Sequence, residues 1–188
     1  MTTSQYLNNQ LLIAMPTLAD SNFSHTVSYL CQHNKEGALA IIINRPTGMT
    51  FANIFEQMGI KTTDEKISQT PVFLGGPVQQ ERGFIIHTNT ANEWSSSIPV
   101  SEDISLTSSR DILEAIANNA GPSHYLVALG YAGWGEGQLE KEILSNAWLN
   151  TSFQHDILFN TPVKQRWGAA ANQLGIDINK LTLAAGHG

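Results

Sequence analysis

The chain of 188 residues carries a single cysteine, Cys31. One thiol excludes an internal disulfide framework and a cysteine-rich zinc module. Positive charge is also scarce: ten Lys and Arg stand against 16 Asp and Glu, for a formal net charge of −6. A nucleic-acid footprint needs a clustered basic face. Here Arg45, Arg82, Arg110, Arg166 and the six lysines are scattered singly, so direct contact with nucleic acid is not expected. No apolar run exceeds Ala38–Ile43. A membrane-spanning helix needs about 20 such residues, so no membrane partner is expected either. No Lys or Arg precedes the apolar run Leu11–Met15. A secretory signal has a basic start and a longer apolar stretch, so the expected compartment is the cytoplasm.

Charged residues are only 14 % of the chain, against about 25 % in typical domains. The surface therefore leans on Asn, Gln, Ser and Thr. Hydrophobic residues reach 41 %. A chain of this length buries roughly 70 % of its unfolded surface. No linker or repeat divides it, and one domain over residues 1–188 is expected, with 1–9 as a flexible N-terminus.

Periodicity and punctuation predict the elements. Gln10–Met15 reads as a buried strand closed by Pro16. Asp20-Ser21-Asn22 supplies cap chemistry for a predicted helix running to about Asn34, with Phe23, Val27, Leu30 and Cys31 on one face. That helix would carry His25 and His33 two turns apart, too far to share one ion. Ala38–Ile43 reads as a central strand, Asn44–Gly48 as a turn, and Thr50 as the cap of a helix ending at Gly59. Strands are predicted at Val72–Leu74, Gly83–Thr88, Ile104–Leu106 and His124–Leu129, with loops at Lys61–Thr70 and Trp94–Pro99. A helix capped at Thr107 or Ser108 places Ile112, Leu113 and Ile116 inward and stops at Gly121-Pro122. Gly130–Gly137 reads as a glycine turn opening a helix with Leu139, Ile143 and Ala147 on one face. Phe153–Phe159 reads as a strand. Thr161-Pro162 starts a last helix, with Val163, Trp167, Ala170, Ala171 and Leu174 inward and Gly175 at its end. Alternating ends and a strand-rich middle indicate an α+β fold with a mixed sheet.

There is no Gly-x-Ser-x-Gly, no phosphate-binding Gly-x-x-x-x-Gly-Lys-Ser/Thr, no His-Glu-x-x-His and no Cys-x-x-Cys. No cofactor and no metal are expected. The spacing of Gly130, Gly133, Gly135 and Gly137 is not the dinucleotide fingerprint, and Glu136, Glu140 and Glu142 would repel a phosphate there. Two polar clusters end buried strands: Asn44-Arg45-Pro46-Thr47 and Gly75-Gly76-Pro77. Arg45 offers a bidentate clamp for a carboxylate or phosphate, with Gly75 and Gly76 as a backbone nest. Alternatively, Arg45 pairs with an acidic residue such as Glu140 and only fixes a loop. Cys31 reads as a small buried hydrophobe, with redox sensing as the alternative.

Several motifs occur in a fixed order: Asn44-Arg45-Pro46-Thr47-Gly48, Gly75-Gly76-Pro77-Val78, Tyr131-Ala132-Gly133-Trp134-Gly135, Gly137-Gln138-Leu139-Glu140-x-Glu142-Ile143, Asn146-x-Trp148-Leu149 and the ending Ala185-Gly186-His187-Gly188. In this the chain resembles the YqgE/AlgH family of bacterial proteins, from about Leu11 onward. Asn160 departs from the pattern, where an acidic residue is expected. The resemblance implies a single α+β domain whose branched mixed sheet curls into a barrel-like core with helices packed outside. It implies no agreed enzyme activity and no cofactor. It brings the label of transcriptional regulator, which sits badly with the charge of −6 as a statement about DNA contact.

The expected function is therefore non-enzymatic binding or regulation through an unidentified protein or small anionic ligand. The candidate ligand-binding residues are Asn44, Arg45, Pro46, Thr47, Gly75, Gly76, Pro77, Trp134, Gln138 and Glu140. Two alternatives remain open: a hydrolase or transferase of an anionic substrate at Arg45 and Gly75-Gly76, for which no catalytic base is evident, and a direct DNA-binding regulator.

Overall fold

The structure, a computed structural model, describes residues 6–185. In chain order the strands are β1 (Gln10–Ala14), β2 (Val27–Asn34), β3 (Gly37–Ile42), β4 (Pro46–Thr50), β5 (Pro71–Leu74), β6 (Val78–Thr88), β7 (Ser97–Pro99), β8 (Ile104–Thr107), β9 (Tyr125–Trp134) and β10 (Trp148–Ser152). The α-helices are α1 (Phe51–Met58), α2 (Glu65–Ser68), α3 (Arg110–Ala117), α4 (Gln138–Leu144), α5 (His155–Phe159), α6 (Arg166–Asn172) and α7 (Ile178–Ala185). One curled sheet runs β10-β1-β2-β3-β9-β6-β8-β7, antiparallel throughout. The sheet branches at β9, whose Val127–Leu129 also pair in parallel with Val72–Leu74 of β5, and β5 in turn pairs with β4. The fold is α+β with a mixed, branched, curled sheet.

The sheet is covered on both faces, so its strands lose the apolar–polar alternation of a half-exposed strand. Leu11 and Ile13 of β1 enter a core closed by α5, α6 and α7, while Leu12 and Ala14 enter another with Trp134, Leu139 and Trp148. Tyr29 and Leu30 of β2 divide in the same way. This corrects the predicted helix over residues 20–34. The i, i+4 spacing of Val27 and Cys31 arises in a strand buried on both sides, between β1 and β3. Residues before it form turns, where His25 takes a left-handed φ of 61°. His25 and His33 thus share no helix face. Cys31 is buried as expected, and burial pushes its thiol well above the ordinary range. The thiolate needed for redox chemistry is disfavoured there.

Other boundaries move too. The Gly130–Gly137 turn is strand as far as Trp134, because β9 is paired there by β3 and β6. Gly130 supplies a left-handed φ of 76° within that strand. Residues 155–159 are helical and the strand lies just before them, at Trp148–Ser152. Short elements α2 and β7 occupy the two predicted loops, and the predicted Asn44–Gly48 turn is cut short, because β4 begins at Pro46 where it pairs with β5. Leu174 is exposed rather than inward. The predicted α1 holds in detail: Thr50 N–H donates to the Asn53 side chain (2.9 Å), and Gly59 ends the helix at φ 69°. At the N-terminus, Leu7 N–H donates to His33 Nδ1 (3.0 Å) and the Tyr6 ring packs edge-on against His33. Asn9 N–H donates to the Leu30 carbonyl (2.9 Å). Residues 1–5 of the predicted flexible segment, and the ending Gly186-His187-Gly188, lie outside the described residues.

Candidate functional site

The ten residues singled out by sequence fall into three packed places. At the first, Asn44 and Arg45 follow β3 and face the turn over residues 21–25. Asn44 accepts from Val27 N–H (3.0 Å) and donates to the His25 carbonyl (2.9 Å). The Arg45 guanidinium donates to the carbonyls of Ser21 (2.9 Å), Asn22 and Ser24 (2.9 Å). Arg45 thus staples a loop through carbonyl oxygens, and Glu140 is not its partner. Thr47 Oγ1 donates to the Val72 carbonyl (2.8 Å), while Pro46 pairs opposite Phe73.

At the second, Gly75 and Gly76 cross β9. Gly75 N–H donates to the Leu129 carbonyl and its own carbonyl accepts from Ile42 N–H, both at 2.8 Å. Its amide is therefore committed to the sheet. A Cβ on Gly75 would lie 2.4 Å from the Gly130 oxygen, and one on Gly76 2.0 Å from the Tyr131 carbonyl carbon. These glycines permit two backbones to touch. Pro77 lies exposed beyond them.

At the third, Trp134, Gln138 and Glu140 gather around α4. Trp134 and Trp148 both donate their indole N–H to Glu142 Oε1, at 3.2 and 3.1 Å. Gln138 accepts from Gly135 N–H (3.0 Å). Glu140 pairs with buried His33. Because Leu7 N–H donates to Nδ1, the proton of neutral His33 sits on Nε2 and points at Glu140. Burial pushes the Glu140 carboxyl up, but its own backbone N–H and His33 outweigh that and hold it below the ordinary value.

An open cavity of about 440 Å³ lies elsewhere, between α1, the start of α3, and strands β6 and β9. Its floor is aliphatic: Met49, Ile54 and Met58 from the α1 side, Ile85, Val127 and Leu129 from the sheet, and Leu113 from α3. Its rim carries Gln57, Glu81, Arg82, Ser108, Ser109 and Arg110. A β-bulge creates this rim. Val78 pairs with Tyr131 and Gly83 with Leu129, so β6 holds surplus residues between the two pairs, and Gln79 takes a φ of 49°. Such bulges re-aim side chains. Arg82, on this bulge, donates to Ser108 Oγ (2.9 Å) and Gln79 Oε1 (3.5 Å) and lies 5.4 Å from the Phe84 ring centroid. Among the described residues it has no carboxylate partner. Arg110 is paired with Glu114 at 2.6 Å.

Asp111 fixes the α3 end of the rim. It accepts from Ser109 Oγ (2.5 Å), Ser95 N–H (2.8 Å) and Ile112 N–H (3.0 Å). Burial pushes its carboxyl up, but these bonds prevail and hold it below the ordinary value.

None of the ten sequence-picked residues lines this cavity. The signal that could have found it was faint: a lone arginine, Arg82, on an otherwise uncharged-to-acidic exposed strand, and a Ser-Ser-Arg sequence at a helix start. Among the described residues, no group of three or more His, Cys, Asp and Glu could hold a metal, and no helix is long and apolar enough to cross a membrane.

Comparison with known proteins bears on this geometry. The AlgH-like family model matches residues 11–179. The chain is 55 % identical to a UPF0301 protein of Thioalkalivibrio sulfidiphilus over 187 residues, covering 100 % of both chains. It is 46 % identical to a UPF0301 protein of Nitrosococcus oceani, again over 100 % of both. The solution structure of the AlgH protein from Pseudomonas aeruginosa superposes with a TM-score of 0.80 at 40 % identity, covering 97 % of this chain and 96 % of that one. A crystal structure from Corynebacterium diphtheriae shares the fold, with a TM-score of 0.75 at 15 % identity over 97 % and 94 % of the two chains.

Proposed function

We propose that this chain, which belongs to the AlgH-like family, is a non-catalytic cytoplasmic binding protein whose regulatory role runs through a small anionic ligand in the α1–α3 cavity. One observation carries the reading: an aliphatic cavity of about 440 Å³ with a few convergent polar groups on its rim. Small-molecule sites have this size and make-up, the apolar floor supplying affinity and the polar rim orientation. Arg45 and the Gly75 N–H instead spend their donors on carbonyls of the chain itself. Cys31, buried as a thiol, is in keeping with a reducing compartment.

Amide shift mapping during a small-molecule screen tests the proposal. Hits should perturb Met49, Met58, Gly83 and Leu113 first. Hits confined to residues 44–47 and 75–77 would overturn it. A Met58→Trp variant should fill the cavity and abolish binding while leaving the spectrum of the rest of the chain in place.

A further inference from the structure

We propose that the ligand class of this cavity is an amphipathic monoanion, an unbranched alkyl chain ending in one carboxylate, with Arg82 receiving the carboxylate. The proposal rests on the reading of the cavity as a ligand site. Three observations define the class.

The first is the floor. It is aliphatic, and among the described residues no aromatic ring lines the cavity. A nucleobase or other flat ring would find no face to stack on. Met49 and Met58 are unbranched and adaptable, and they suit a flexible chain better than a rigid scaffold.

The second is the state of the rim cations. Arg110 is already neutralised by Glu114. Among the described residues Arg82 is held by neutral acceptors, Ser108 Oγ and Gln79 Oε1, with Phe84 beside it. A guanidinium has five N–H donors in a fixed fork. These two contacts orient Arg82 and leave donors for a bidentate carboxylate, whose planar geometry the fork matches.

The third is Glu81, the neighbouring rim residue. Its charge opposes a second negative charge at the same place. A phosphate monoester or nucleotide is therefore disfavoured relative to a single carboxylate.

Four probes decide the matter, titrated below micelle formation and followed by amide shifts and calorimetry: decanoate, decanol, decyl phosphate and acetate. Decanoate should bind in the cavity about tenfold or more tighter than decanol, the difference that one charge-assisted bidentate contact confers. Acetate should not bind. Arg82→Gln should bring decanoate down to the level of decanol, while Arg45→Ala, away from the cavity, should leave the ratio unchanged. Arg82 is exposed, so its replacement should not perturb folding. Decanol matching decanoate, decyl phosphate exceeding it, or decanoate binding surviving Arg82→Gln would overturn the amphiphile class and leave the cavity reading standing. If neither decanoate nor decanol binds in the cavity, the cavity reading itself falls.

Discussion

Arg45 and Arg82 occupy opposite situations in one molecule. Arg45 follows a buried strand, stands in a motif that catches the eye, and spends its guanidinium on three backbone carbonyls of the 21–24 turn. Arg82 stands on a bulged, exposed part of β6 in an unremarkable sequence, and is held by neutral side chains at the edge of an aliphatic cavity. The same chemistry is structural where carbonyls of the chain converge on it. It is available where only orienting groups do. A prominent motif can therefore mark a joint in the fold, with binding capacity elsewhere.

The largest effect that would test this comparison is at the glycine crossing. Gly76→Ala puts a Cβ against the Tyr131 backbone, which has no flexible end to swing aside. The expected cost is about 3 kcal/mol or more, read by urea denaturation. A cost below about 1 kcal/mol would show that β5 and β9 are not locked as described and reopen Gly75-Gly76 as a ligand cradle.

Arg45→Ala should come next. It leaves three carbonyls without their donor in a largely exposed turn, for an expected loss of about 1–2 kcal/mol. Binding in the cavity should not change. A loss of binding without a loss of stability would reverse the roles of the two arginines.

Acidification separates other parts of the molecule. Burial lowers the His87 pKa from 6.5, against the opposing pull of the Thr88 carbonyl. The fold thus favours neutral His87, and its contribution is complete above pH 6.5 and lost as pH falls through the lowered value. Glu140 and Asp111 are depressed below their ordinary 4.5 and 3.8, so their contributions persist above those values and disappear only in stronger acid. Stability measured against pH should therefore fall first on His87 account, and His87→Gln should remove that first slope. The rim held by Asp111 should keep its amide shifts until the second stage.

The smallest expected effect is Arg82→Gln. It should shift stability by no more than about 0.5 kcal/mol, as exposed substitutions do. A larger loss would make Arg82 a structural residue like Arg45.

Legibility in the sequence followed how local each cause was. Thr50, Asn53 and Gly59 start and stop α1 through groups within a turn of one another, and the sequence reading of that helix holds. The Ile112, Leu113 and Ile116 stripe of α3 holds for the same reason, though its cap is Ser109 rather than Thr107 or Ser108. Val27–Cys31 misled, because a strand buried on both faces shows no period of two and admits a helical pattern by coincidence. Gly130–Trp134 departs in the opposite direction: distant partners on β3 and β6 turn a glycine-rich segment into the end of a strand, just past the branch point at Val127–Leu129. Arg45 and Gly75 stand out in the sequence, but their hydrogen bonds run to carbonyls some 20 to 55 residues away, which no spacing rule reveals.

Composition and pattern already define the class of molecule: an α+β chain, acidic and lightly charged, with one thiol and a family signature in ordered motifs. Composition and short-range periodicity carry those properties, and both are local. Only the folded chain shows Arg45 spent on backbone carbonyls and Arg82 held by neutral side chains beside an aliphatic cavity. The cavity is assembled from the α1, β6, α3 and β9 segments, and only the curl of the sheet brings their side chains to one place.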